Sequence, residues 1–381
     1  MNVPFFRPAI GEAEIAEVIH SLKSGWLTTG PKTAQFEADF AAFIGGGVQA
    51  VAVNSATAAL HLALEAINIG PGDEVICPTL TFTATAEVVR YLGADPVFVD
   101  SGKDTANISV EAIEAAISPK TKAILPVHFA GLPCDMSAIL KLANRHGIAV
   151  VDDAAQALPT MCDGRLIGAN GAKATAFSFY ANKTMTTGEG GMLVTADPDI
   201  AARARTMRLH GINRDVFDRY SSVDTPWQYD VVAPGFKYNM TDIAASLGIH
   251  QLKRVNDFTV ERTAQAARYF EAFAKLPITL PARARSTDKH AWHLFIIRLN
   301  DDAPLSRNAF IAAMQKAGIG TSVHYLPLHM MSYWSKRHAL KPDDFPNAQG
   351  FFERCVSIPL FQGMTADEQA YVINTVKNLL G

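Results

Sequence analysis

A single lysine in a polar turn between two apolar runs is the residue best placed for covalent chemistry. In FSFYANKTMTTGEGGMLV (Phe177–Val194), an apolar strand leads into Lys183, and Thr-Thr-Gly-Glu-Gly-Gly returns the chain to a second strand. Loop lysines are usually solvated. Here the glycines permit close backbone approach, and the flanking strands would set Lys183 near the active edge of a sheet. GEGG departs from the GxGxxG pattern and opens no helix, so it carries no dinucleotide signal. Two acids close the apolar strand of VVDDAAQALP (Val150–Pro159). Buried carboxylates need a cation or a hydrogen-bond donor. Asp152 and Asp153 therefore suit either a proton held on a cofactor nitrogen or the cap of a following helix. In NSATAAL (Asn54–Leu60) a strand passes into a helix, leaving the N–H groups of Ser55, Ala56, Thr57 and Ala58 to point outward. With the helix dipole they suit a phosphate, and Ser55 or Thr57 equally suits a simple N-cap. Asn239 precedes the helix of PGFKYNMTDIAASLGIHQL (Pro234–Leu252), where it or Thr241 can cap. Phe82, closing TLTF (Thr79–Phe82), can stack on a planar ring or join the core.

Taken together, these features narrow the chemistry. A phosphate cradle, an acid, an aromatic lid and a lysine on successive strand ends are what pyridoxal 5'-phosphate requires. The lysine binds its aldehyde, the acid keeps its ring nitrogen protonated, and the cradle holds its phosphate.

The elements that must position these residues follow from patterning. VQAVAVN (Val48–Asn54), GPGDEVICP (Gly70–Pro78), DPVFVD (Asp95–Asp100), KAILPV (Lys122–Val127) and IAVVDD (Ile148–Asp153) read as strands. Helical patterns run between them. Strands alternating with helices imply crossovers and a mostly parallel sheet covered on both faces. In such sheets ligands bind at the carboxyl ends of strands. Beyond about residue 250 a long helical stretch leads to HAWHLFIIRL and a helix–strand–helix tail. The expected division is a large cofactor-binding domain over residues 1–250 and a smaller α+β domain over 251–381.

Composition excludes other classes. The 381 residues are 49% hydrophobic and only 19% charged, with a net charge of −3. Low charge points to surface buried in an oligomer, and the absence of a basic excess argues against nucleic acid. The four cysteines, Cys77, Cys134, Cys162 and Cys355, form no CxxC pair. No apolar run reaches a membrane span, and MNVPFFRPAIGEAE lacks the pattern of a signal peptide. A cytoplasmic enzyme with reduced thiols is expected.

The chain resembles the sugar aminotransferases of the DegT/DnrJ/EryC/StrS family. The resemblance runs from SGWLTTGPKTAQFEADF (Ser24–Phe40) to the late PLF, through NSATAAL, DDAAQA, FSFYANKTMTTGEGG and GFKYNMTDIAASLGIHQL. It implies the aspartate-aminotransferase-like fold, that is, fold type I. It implies that Lys183 is the Schiff-base lysine, Asp153 the acid on the pyridine nitrogen, and Gln156 the neighbour of the ring oxygen. Thr57, Ala58 and Ser178 fall on phosphate positions and Phe82 on the stacking position. Asn239 falls on an asparagine that reaches the phosphate of a second subunit, implying a homodimer with shared active sites. PFFRPAIG, SGWLTTGPK, SATAALH, HAWHLFIIRL (His290–Leu299) and GIGTSVHY (Gly318–Tyr325) resemble most the members that aminate a UDP-linked 4-ketopentose. The implied donor is L-glutamate, giving 2-oxoglutarate. The implied product is UDP-4-amino-4-deoxy-L-arabinose, used for lipid A modification and polymyxin resistance. Gln156 and Phe82 depart from the histidine and tryptophan of those members, and Asp152 stands where the family usually has glutamate. Trp26, Thr28, His324 and Tyr325 are implied to line the sugar pocket.

Competing readings are an aminotransferase for a 4-keto-6-deoxyhexose on UDP, GDP or dTDP, and a non-catalytic cofactor-binding regulator. Sugar dehydratases of the family carry histidine at the position of Lys183. No metal is expected, since His324 and His329 are five residues apart with no acid or thiol partner nearby. A nicotinamide dehydrogenase does not suit IGGGV (Ile44–Val48), which precedes a strand.

Overall fold

The structure, a computed structural model, describes residues 1–213 and 229–381. Helices α1 (Glu12–Ser24) and α2 (Pro31–Ile44) precede the first strand, β1 (Gln49–Val53). Strand and helix then alternate through α3 (Ala56–Ala66), β2 (Glu74–Pro78), α4 (Ala84–Tyr91), β3 (Asp95–Val99), α5 (Val110–Ala116), β4 (Thr121–Ile124), α6 (Met136–His146) and β5 (Ala149–Asp153). A small ribbon of β6 (Met161–Cys162) and β7 (Arg165–Leu166) leads to β8 (Ala174–Ser178), β9 (Gly191–Thr195) and α7 (Pro198–Met207).

The main sheet has the order β1-β9-β8-β5-β4-β2-β3. Every pairing is parallel except those of β9, which runs against both β1 and β8. The twelve-residue Lys183 loop (179–190) joins β8 to β9 without a crossover helix, and β9 returns antiparallel. Both faces are covered, as continuous β-branched runs require. On one face Phe36 and Phe40 of α2, with Ile139 and Leu142 of α6, pack on Ala50, Ala52 and Phe177. On the other, Leu60 and Leu64 of α3, with Val88 and Val89 of α4, pack on Val51, Val53 and Ala176. The alternation of Ala50 and Ala52 with Val51 and Val53 is the two-residue period of a strand.

Helix α8 (Asp242–Phe273) is 32 residues long, about 48 Å at 1.5 Å per residue. Its first turns carry Ala245, Ile249 and Leu252 into the main core. Its last turns carry Tyr269, Phe270 and Phe273 into a second core. Residues 250 and 251 therefore lie inside one continuous helix. The second core is built on an antiparallel sheet of β10 (Ile278–Thr279), β11 (Phe295–Leu299) and β12 (Cys355–Ile358). It is covered by α9 (Arg307–Lys316) and α12 (Ala366–Leu380), with α10 (Ser332–His338) and α11 (Pro346–Arg354) between them in the chain. Val3 joins this core and bridges to Ile319. Among the described residues no helix is long and apolar enough to cross a membrane.

Phe40 is fully buried, with ring centroids 5.3 Å from Phe177 and 5.6 Å from Phe179. These two residues flank Ser178 on β8. Phe40→Ala is expected to lower unfolding free energy by about 3–5 kcal/mol. Denaturant titration checks this, and a loss below about 1 kcal/mol would show that the site refills.

Candidate active site

Carboxyl ends of neighbouring strands open on one cleft of about 390 Å³, lined by Thr57, Phe82, Asp153, Gln156, Ser178, Lys183, His324 and Tyr325 among others. Ser55 follows β1 in extended backbone and caps α3, its Oγ accepting from the Ala58 N–H at 3.1 Å. Thus the cap and the cradle coexist. Capping uses the Ala58 amide, while Ala56 and Thr57 line the cleft at the helix N-terminus. The opposite wall is the start of β9, and it is glycine for a steric reason. A Cβ on Gly191 would stand 2.4 Å from the Ser55 carbonyl carbon and 2.6 Å from the Ala56 nitrogen. On Gly190 it would stand 2.2 Å from Thr187 Oγ1. Gly191 thus lets β9 lie against the opening of α3, while Gly190 makes room for Thr187 and Met240.

Asp152 and Asp153 separate because successive strand residues face opposite sides. Asp152 is fully buried; Asn170 Nδ2 donates to its Oδ2 at 2.8 Å, and His128 Nε2 lies 3.5 Å away. Asp153 faces the cleft. Thr85 Oγ1 donates to its Oδ2 at 2.8 Å and the Ala155 N–H to its Oδ1 at 3.1 Å. Thr81 Oγ1 lies 2.8 Å from Thr85 Oγ1 and extends this network. Neither acid caps a helix, because β5 passes into a turn. Burial pushes the Asp153 carboxyl above its ordinary value, against the Thr85 and Ala155 bonds and the Lys183 charge. Burial lowers the Lys183 amine to about 8, opposed by the Asp153 charge. A neutral lysine is therefore accessible near pH 8.

Aromatic groups close the cleft. Phe82 is 58% exposed, so it is no core residue. Its ring lies 6.0 Å from that of Tyr325, with the planes inclined at 53°. Gln156 is clamped at both ends: Oε1 accepts from the Ala130 N–H at 2.6 Å, and Nε2 donates to the Tyr325 hydroxyl at 2.7 Å. His324 Nδ1 lies 2.8 Å from Ser357 Oγ, and burial lowers its pKa to about 4. It is a neutral imidazole at physiological pH. His329 stands apart, between Thr79 Oγ1 and Gln349 Oε1.

Other expected site residues lie outside the cleft lining in a single chain. Ala58 sits one residue behind it. Asn239 bridges Val53 at the edge of β1, and its Nδ2 donates to Thr29 Oγ1 at 2.7 Å while its Oδ1 accepts from Lys237 Nζ at 2.6 Å. Thr241, and not Asn239, caps α8. The Trp26 indole donates to the Thr29 carbonyl at 3.1 Å, and the Thr28 carbonyl accepts from the Asp242 N–H. Trp26 and Thr28 thus flank the segment that holds Asn239. Sequence reading missed Thr85, Tyr180, Asn182 and Glu189, all at or beside the cleft. Nothing near Thr85 in the sequence marks it as the partner of an acid 68 residues away.

The residues present fit pyridoxal 5'-phosphate. Gly191 brings β9 against the opening of α3, where Ala56 and Thr57 line the cleft as a phosphate cradle; a buried acid suits a ring nitrogen, and a desolvated amine suits an aldehyde. Asn182 Oδ1 is a further buried polar atom without a partner on the cleft wall. This sheet order, with one reversed strand and a lysine in the turn before it, defines a fold type I pyridoxal-phosphate-dependent enzyme. A family model matches residues 8–377, and the chain belongs to the DegT/DnrJ/EryC1/StrS aminotransferase family. The spore coat polysaccharide biosynthesis protein SpsC of Bacillus subtilis is 47% identical over 99% of this chain and 97% of its own. The sugar aminotransferase Spr1654 from Streptococcus pneumoniae, solved in PMP and PLP forms, is similar in structure. Its PMP form has a TM-score of 0.93 at 36% identity, covering 99% of each chain. Helicobacter pylori PseC, an aminotransferase of pseudoaminic acid biosynthesis, has a TM-score of 0.91 at 26% identity, covering 100% of this chain and 99% of its own. The chain is a pyridoxal-phosphate-dependent sugar aminotransferase.

Gly191→Ala is expected to weaken cofactor affinity by about tenfold or more, since the new methyl displaces the Ala56 amide. Titration of the cofactor-free protein measures this, and unchanged affinity would refute the cradle. The rate at which cofactor-free protein captures the cofactor covalently is expected to rise with pH and level off above about 8, as Lys183 loses its proton. A flat profile from about pH 7 to about pH 9 would contradict a lysine with a lowered value.

Proposed function

We propose that this enzyme transfers the amino group of L-glutamate to the 4-keto carbon of a UDP-linked pentose, giving UDP-4-amino-4-deoxy-L-arabinose and 2-oxoglutarate. The observation that carries the aminotransfer is the opposed buried pair, a raised Asp153 and a lowered Lys183, on one cleft. The cofactor, when bound, supplies an electron sink for charge left on the substrate carbon. Asp153, oriented by Thr85 and the Ala155 amide, holds a proton at the ring nitrogen. Lys183 Nζ, its pKa lowered to about 8, takes and returns the proton that moves at the substrate carbon, worth typically about 10²–10⁴-fold. Ala56, Thr57 and Ser178 bind the phosphate, Phe82 covers the ring face, and Gln156 meets the ring oxygen. Tyr325 is held by Gln156, so sugar and cofactor contacts are coupled through one hydrogen bond. Trp26, Thr28, His324 and Tyr325 are assigned to the sugar.

The reading includes a homodimer in which Asn239 completes the partner's phosphate site. Its place beside the edge strand β1 supports this, as do Ile15, Ile19, Leu22 and Leu27, exposed on and beside α1. Four buried free thiols suit the cytoplasm, and lipid A modification is the use this product implies.

A second reading, a 4-keto-6-deoxyhexose on UDP, GDP or dTDP, is favoured by Phe82 and Gln156. Both differ from the residues expected of the pentose enzymes, and Gln156 is wired directly to Tyr325. A panel of purified nucleotide ketosugars offered to the glutamate-treated enzyme separates the two. Only the true acceptor restores the original absorption band of the bound cofactor. Restoration by the pentose alone is expected. Restoration by a hexose alone would replace that assignment, and no bleaching by glutamate would overturn the donor. Lys183→Ala is expected to retain cofactor without a covalent bond and to lose at least about 10²-fold in turnover.

A further inference from the structure

Arg262 of α8 is 1% exposed, and among the described residues no carboxylate lies within ion-pair distance of it. Burial lowers its pKa to about 10. A buried cation without a counter-ion is costly unless hydrogen bonds satisfy it. This one instead ties three elements together. Its Nη1 donates to the carbonyls of Trp292, His293 and Leu360 at 3.0, 3.2 and 3.0 Å. Its Nε and Nη2 both donate to Gln362 Oε1, at 3.1 and 2.7 Å. With Oε1 turned to the guanidinium, the amide of Gln362 has one orientation, and its Nε2 donates to the Thr184 carbonyl at 3.2 Å. Thr184 adjoins Lys183. From the same helix, Gln251 Oε1 accepts from the Thr186 N–H at 3.3 Å, while its Nε2 is held by Glu14 and the Ala9 carbonyl. The turn after Lys183 is thus gripped by α8 at Thr186 directly and at Thr184 through Arg262.

We propose that Arg262, acting through Gln362, is a positioning residue for Lys183: it orients the Gln362 amide so that its N–H fixes the Thr184 carbonyl and, with it, the direction of the lysine side chain. The proposal rests on the reading that Lys183 Nζ is the reacting amine. Only a planar fork serves here, since a lysine ammonium cannot hold three carbonyls and an amide oxygen at once.

The test is Gln362→Glu, which keeps an acceptor for Arg262 and removes the donor to Thr184. In cofactor-free protein, amide hydrogen exchange over residues 183–187 is expected to quicken about tenfold while the rest of α8 and β12 is unchanged. Covalent capture of pyridoxal phosphate should slow about tenfold. Should that variant fail to fold, Arg262→Lys, which leaves Gln362 in place and withdraws the fork that orients it, is read the same way. Loop exchange and capture both within about twofold of the parent would overturn the proposal, as would faster exchange spread evenly through α8 and β12. Failure of both variants to fold would overturn it as well, by showing a purely structural role. Failure of the underlying reading looks different: the parent itself would then not capture the cofactor.

Discussion

Everything at the site depends on two opposite charges being held in a place that disfavours both. Asp153 is buried and its carboxyl is raised; Lys183 is desolvated and its amine is lowered. Each partly restores the charge on the other, and neither is satisfied by a direct ion pair in the described structure. Such a pair is poised for a ligand that brings a ring nitrogen to the acid and a carbonyl to the amine. The remaining architecture can be understood as what keeps the two facing one space without letting them collapse together. Thr85 and the Ala155 amide anchor the acid, and the lysine is carried on a turn whose ends belong to two adjacent strands.

Reversal of β9 is the device that makes this possible. A parallel strand there would need a crossover and would carry Lys183 away from the strand ends. The antiparallel return instead brings Gly191 against Ser55 and Ala56, where a side chain would clash with backbone. One loop thereby builds two parts of the site, the lysine and the wall of the phosphate cradle. Helix α8 grips that turn from outside through Gln251 and through Arg262 and Gln362. The helix also threads both cores, so the small antiparallel sheet is tied to the cofactor loop by hydrogen bonds as well as by packing.

Specificity is carried by a different set of contacts. Gln156 connects the Ala130 amide to the Tyr325 hydroxyl, and Phe82 shares the wall with Tyr325. A change at Gln156 would therefore alter the sugar side as well as the cofactor side, which is why its identity weighs on the choice of acceptor. Phe82 remains largely exposed because it packs on no core, and exposed aromatic faces are suited to stacking on planar ligands.

Much of this was legible in the order of the residues. The alternation of β-branched runs with helical periods determined a doubly covered, mostly parallel sheet, because a strand buried on both faces has no polar side. It also determined that Lys183, Asp153, Thr57 and Ser178 stand at strand ends, since those ends follow from the runs themselves. Family resemblance supplied their roles. Tertiary structure decided what depends on contacts distant in the chain. That Asp153 and not Asp152 faces the cleft is set by strand register. That Thr85 anchors the acid requires α4 to lie beside β5, 68 residues away. That Ala56 and Thr57 face the same cleft as Asp153 and Lys183 depends on β1, β5 and the β8–β9 loop meeting at one end of the sheet. The grip of Arg262 on the lysine turn joins residues about 100 apart through one glutamine. Local patterning encodes which face a residue shows to its own element. Only packing decides which other element meets it there.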